Sequence, residues 1–177
     1  MGAIGARVAE ICQNGFGMRV VAYDPYVEAQ PSQAAFTLVK SLHQLLEQSD
    51  VVTLHLPSTP ETFHMINGEG LGRMKQSALL INTARGGVVD TIALAEALSR
   101  GHLGGAALDV FEKEPPLLDH PLMSAPRTLF SPHIGSSTGA AMEKMAELVA
   151  RQVIQVLNGE RPAFVANPAV FADVRAA

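Results

Sequence analysis

A chain of 177 residues is long enough for one domain with a real core and short for two. An apolar fraction of 47% against 17% charged residues argues against a disordered chain, and a net charge of −4 leaves no basic footprint for nucleic acid. The single cysteine, Cys12, excludes an internal disulfide and suits a reducing, cytoplasmic setting, and no stretch approaches the ~20 apolar residues of a membrane helix.

The first predicted element is a helix entered through Gly2-Ala3-Ile4-Gly5. Ile4, Val8 and Cys12 recur at four-residue steps, so Cys12 is expected to be a buried small hydrophobe. Residues 19–23 (RVVAY) are rich in β-branched side chains and stop at Asp24-Pro25, which predicts a strand. A weaker strand is expected over 35–40, then a helix SLHQLLEQ capped by Ser41. Residues 51–56 (VVTLHL) read as a buried strand ending at Pro57, and two short helical turns are expected between Pro60 and Met74. The next strand, 78–84, breaks at Arg85-Gly86-Gly87. Asp90 then opens a helix that Gly101 ends. Strands over 103–110 and 128–132 precede a long amphipathic helix, about 137–157, that stops at Asn158-Gly159. Strands alternating with helices predict an α/β, doubly wound parallel sheet of the Rossmann type.

Gly2 and Gly5 fit the second and third glycines of a G-x-G-x-x-G turn, where backbone approaches a pyrophosphate and a helix packs close to its strand. Met1 stands between the first two glycine positions, so the chain reads as lacking the first glycine and the first strand. Asp24 lies 19 residues after Gly5, where an acidic side chain can hold the ribose hydroxyls of a dinucleotide. A carboxylate there would also repel a 2′-phosphate, because like charges at ~4 Å cost about 1 to 4 kcal/mol. The spacing therefore points to NAD rather than NADP.

Four segments, SDVVTLHLPSTPET, INTARGGVVD, GAALDVFEKEPP and SPHIGSSTG, together resemble the D-isomer-specific 2-hydroxyacid dehydrogenase family. The resemblance runs on through NGERPAFVANPAV. It implies that Arg85 binds a substrate carboxylate, that His133 is the acid/base, and that Glu114 partners His133. The residue types suit those tasks: arginine grips a carboxylate with two parallel hydrogen bonds, and histidine exchanges a proton near neutral pH. By the same resemblance Leu56, Pro57, Thr83, Ala84, Asp109, His133 and Gly135 lie along the cofactor, beyond Gly2, Ala3, Ile4, Gly5 and Asp24. The remaining histidines form no ligand-like cluster, and no metal is assigned.

The resemblance further implies a cofactor-binding domain over 1–160, a tail over 161–177, and a separate substrate domain that this sequence does not contain. Relatives order their strands 3-2-1-4-5-6-7, so the strands at 19–23 and 51–56 are expected to flank an empty slot. Thr91 departs from a glutamate common at that helix start, and Glu114 argues against the formate dehydrogenase branch, which carries glutamine there. The expected activity interconverts a small D-2-hydroxy acid and a 2-oxo acid with NAD, in a homodimer. The same three residues would also serve a non-catalytic NAD-sensing module or persist in an inactive remnant. Turnover with NADH separates those readings. Made alone, the 177-residue chain is expected to be a poor enzyme.

Overall fold

Short parallel strands alternate with helices through residues 2–30 and 34–171, the part of the chain that the computed structural model describes. Met1 and the end of the expected tail, 172–177, lie outside the described residues. The chain divides into two units, Met1–His133 and Ile134–Ala177.

In the first unit, helix α1 (Ala3–Phe16) begins at Gly2 and ends at Gly17, whose φ of 63° suits glycine. It buries only Gly5 and Ala9, while Ile4 is 70% exposed and Cys12 is half-buried, so the expectation of a buried Cys12 is corrected. The four-residue step is helical, but the row that is buried runs through the small residues Gly5 and Ala9.

Strands β1 (Val21–Ala22) and β2 (Thr37–Leu38) form a two-stranded parallel ladder, shorter than the 19–23 and 35–40 expected. Strands β3 (Val51–Leu54), β4 (Leu79–Asn82), β5 (Gly105–Leu108) and β6 (Thr128–Phe130) form a four-stranded parallel sheet in that order. No ladder joins β1 to β3. Thr37 and Val39 donate to the carbonyls of Val20 and Ala22, which turns the backbone of Val21 and Tyr23 the other way. Leu79 likewise donates to the Asp50 carbonyl, so Val51 and Thr53 face away from β4. A cavity of about 640 Å³ is lined by both β1 and β3 and by Val8, Ala9 and Cys12 of α1. It occupies the place where the slot was expected.

Helices α2 (Leu42–Gln48), α3 (Gly68–Arg73), α4 (Thr91–Ser99) and α5 (Pro121–Ser124) supply Leu46, Leu71, Leu94, Leu98 and Leu122 to the core. These pack in one cluster with Leu80, Ala106 and Leu108 of the sheet. Each fully buried leucine contributes roughly 1.5–3 kcal/mol. Val52 and Leu54 of β3 join the same cluster, whereas Leu79 and Leu129 are 42% and 71% exposed. Ser41, Asn67 and Asp90 cap α2, α3 and α4 with their side-chain oxygens. Helix α5, not expected from the sequence, is a single turn that begins at Pro121 and is capped by the His120 ring. In the second unit, α6 (Gly139–Leu157) is capped by Thr138 and buries none of its residues.

Candidate active site

All strands of the larger sheet run parallel, so the segments that follow β4, β5 and β6 leave from one edge, where doubly wound sheets bind ligands. Arg85 follows β4, Asp109 and Glu114 follow β5, and His133 follows β6.

The turn that carries Arg85 is fixed from beneath by Asn82. This buried side chain accepts the Ala84 N–H at 3.0 Å and donates to the Arg85 carbonyl at 3.0 Å. Gly86 and Gly87 then form a 3₁₀ turn with Val88. Gly86 lies directly against the peptide of Phe111: a Cβ there would meet the Phe111 carbonyl carbon at 1.9 Å and the Glu112 nitrogen at 2.3 Å. Glycine is required at this close approach. Thr83 and Arg85 are exposed and Ala84 is buried, so the guanidinium stands at the surface of the edge. One of its nitrogens donates to the Ala84 carbonyl at 2.6 Å.

Glu114 holds two groups at once. One carboxylate oxygen accepts the Phe111 N–H at 3.0 Å, and the other lies 2.8 Å from Nδ1 of His133. An ionised carboxylate can only accept, so Nδ1 carries the proton and Nε2 is the ring nitrogen left for exchange. The bond from His133, then that from Phe111, holds the Glu114 carboxyl below the usual carboxylate range. His133 has a φ of 55°, an uncommon conformation outside glycine that concentrates at functional sites. Asp109 is buried at the same edge: its N–H donates to the Asn82 carbonyl at 2.9 Å, and Ser131 donates to its carboxylate.

The cofactor side is built differently. Gly2 is the N-cap of α1, and a Cβ at Gly2 would meet nothing within 4 Å, so a phosphate can approach that backbone. The first turn of α1, which contains the exposed Ala3 and Ile4, holds no acidic side chain to compete with an anion. Asp24 follows β1 and accepts the Tyr26 N–H at 2.9 Å. Gly2, Gly5, Asp24, Leu56 and Pro57 all line the 640 Å³ cavity, whereas Thr83, Ala84, Asp109 and His133 are not among its lining residues. The residues present fit a dinucleotide: open backbone at a helix N-terminus, with a carboxylate at the next strand end. Gly135 belongs to the second unit. His55 also lines the cavity, and burial pushes its ring down.

Sequence reasoning missed Asn82, Ser131, Thr91 and Glu112 as parts of this edge. A polar residue closing the apolar run LLIN was the available signal for Asn82. Thr91, which departs from the glutamate common at that helix start, is buried and bonded to Glu112 at 2.8 Å.

Residues 1–135 match the family model described as "D-isomer specific 2-hydroxyacid dehydrogenase, NAD binding domain". The chain is 46% identical over 174 residues to a glyoxylate reductase of Thermofilum pendens, a match covering 96% of this chain and 50% of the relative. It is 40% identical to a D-3-phosphoglycerate dehydrogenase of Methanocaldococcus jannaschii, covering 94% of this chain and 32% of the relative. Among solved structures, the D-lactate dehydrogenase of Aquifex aeolicus complexed with NAD and lactic acid superposes with a TM-score of 0.79 at 38% identity. That match covers 90% of this chain and 52% of the other. The chain thus spans about half the length of the glyoxylate reductases it matches. It belongs to the D-isomer-specific 2-hydroxyacid dehydrogenase family and carries that family's NAD-binding domain.

Proposed function

We propose that this chain is the cofactor-binding and catalytic half of an NAD-dependent oxidoreductase that interconverts a D-2-hydroxy acid and a 2-oxo acid. The observation that carries the reading is the 2.8 Å contact between Glu114 and Nδ1 of His133 at the carboxyl edge of a parallel sheet. Arg85 grips the substrate carboxylate through its exposed guanidinium. Nε2 of His133 gives its proton to the carbonyl oxygen during reduction and takes it back during oxidation, while Glu114 holds the ring by Nδ1–H. Bound nicotinamide supplies or accepts the hydride, so that oxo acid, NADH and a proton balance hydroxy acid and NAD. The backbone of Gly2, Ala3, Ile4 and Gly5 would hold the pyrophosphate and Asp24 the ribose diol, with Leu56, Pro57, Thr83, Ala84, Asp109, His133 and Gly135 along the rest. Fixed donors and geometry then supply most of the acceleration.

The cofactor-binding domain is taken as 1–160 with a tail over 161–177, in a cytoplasmic homodimer. The test fuses this chain to the half of the Thermofilum pendens enzyme that it does not span, and follows NADH oxidation with glyoxylate, pyruvate and hydroxypyruvate. Turnover of one of these supports the reading. NAD binding without turnover of any 2-oxo acid supports an NAD-sensing module instead, and neither binding nor turnover supports an inactive remnant.

A further inference from the structure

Glu112 lies two residues before Glu114 and bonds a different set of groups. One carboxylate oxygen accepts from Thr91 twice, from the hydroxyl at 2.8 Å and from the backbone N–H at 3.3 Å. The other lies 3.1 Å from Nε2 of His64. The Thr91 hydroxyl is itself 3.3 Å from Nε2 of His120, whose Nδ1 accepts the Leu122 N–H. With Nδ1 accepting, Nε2 of neutral His120 carries the hydrogen and donates to Thr91, which passes its own hydrogen to Glu112. Burial alone would raise the Glu112 carboxyl; the bonds from Thr91 and His64 outweigh it and hold the group low.

The chain around one of these partners, His64, also grips the turn that carries Arg85, and the chain leading into Thr91 is tied to it in turn. The His64 N–H donates to the Gly87 carbonyl at 2.8 Å, and the Ile66 N–H donates to the Val88 carbonyl at 3.0 Å. The Asp90 N–H, one residue before Thr91, donates to the Ile66 carbonyl at 3.0 Å. The peptide joining Phe111 to Glu112 is the surface on which Gly86 rests. The Arg85 turn is therefore enclosed on one side by the chain around His64 and on the other by the chain around Glu112, and the Glu112 carboxylate ties those two sides together.

We propose that Glu112 is a positioning residue. By bonding Thr91 and His64 it locks the Arg85–Val88 turn against the loop that ends in Glu114, so that the carboxylate grip and the Glu114–His133 pair keep one spacing. The role assigned to that spacing rests on the function proposed above, but the lock itself can be measured without cofactor or turnover.

Amide hydrogen exchange and carboxyl titration by nuclear magnetic resonance on the 177-residue chain test it, with Glu112→Gln, Glu112→Ala and Thr91→Val. Loss of a charged hydrogen bond should speed exchange of the Val88 and Val89 amides on the order of tenfold or more in Glu112→Ala. Glu112→Gln, which keeps an oxygen for Thr91, should give a smaller change, as should Thr91→Val. The Glu114 carboxyl should titrate closer to the ordinary carboxylate range in all three, while the Ala106 and Leu108 amides of β5 exchange as before. Unchanged Val88, Val89 and Glu114 signals would overturn the proposal. So would faster exchange spread evenly into β5, the mark of general destabilisation. Should Glu112→Ala unfold, the other two variants decide. Turnover insensitive to His133 would sink the dehydrogenase reading while leaving this result to stand by itself.

Discussion

At the scale of single residues, Glu114 carries a pH response, and Asp24 is the residue to which the proposed function assigns the cofactor choice. The Glu114 carboxyl is held low chiefly by His133, so its contribution is fully present above the unfolded value of ~4.3 and is lost as pH falls through the lower folded value. Its side chain is 39% exposed, which keeps the effect small. Melting temperature should therefore fall less steeply in Glu114→Gln than in the unmodified chain as pH drops below about 4.3, compared by thermal scans across that window. Parallel slopes would remove the pairing from the stability of the fold. Asp24 lines the same cavity as Gly2 and Gly5, and in the proposed function its carboxylate would meet a 2′-phosphate. NAD(H) should outperform NADP(H) in kcat/KM, and Asp24→Ala should narrow the gap by about tenfold or more, the equivalent of ~1.4 kcal/mol of lost repulsion. Equal efficiency with both cofactors in the unmodified protein would overturn that role.

At the scale of elements, the contact between the Arg85 turn and the loop after β5 is the tightest in the site. Gly86→Ala would place a methyl carbon inside the Phe111 carbonyl, and backbone cannot yield as a flexible side chain can. The substitution should cost about 1–3 kcal/mol or more, read from denaturant midpoints at constant m-value. A neutral Gly86→Ala would contradict the packing. This contact also marks where the sequence stopped being informative. Ser41 and Asp90 announced their helices because a cap is a local event within three residues, and β3 to β6 were legible as apolar runs. The Gly86–Phe111 approach and the Glu112–His64 bond join residues far apart in the chain, and nothing in the local sequence marks them. Cys12 failed for the opposite reason: helical spacing identifies a face but cannot say whether anything lies against it. Arg85, Glu114 and His133 were legible only as parts of family motifs, since a lone arginine or histidine at a strand end carries little meaning.

At the scale of the whole molecule, the backbone of Val21 on β1, of Tyr23 just after it, and of Val51 and Thr53 on β3 turns toward no neighbouring strand among the described residues. Unpaired edges of this kind recruit strands from other chains. The 177-residue chain alone should therefore self-associate as its concentration rises, seen as a growing weight-average mass in sedimentation equilibrium. A concentration-independent monomer with a sharp, high-temperature melt would contradict this. The proposed chemistry lies at the opposite end of the larger sheet, where the Glu114–His133 pair follows β5 and β6. Its most direct test is the turnover number of the fused protein with NADH and its best 2-oxo acid, before and after His133→Ala. A fall of ~10²–10⁴-fold, with NADH binding retained, is the predicted result for loss of the acid/base group. Near-equal turnover in the two proteins would contradict it.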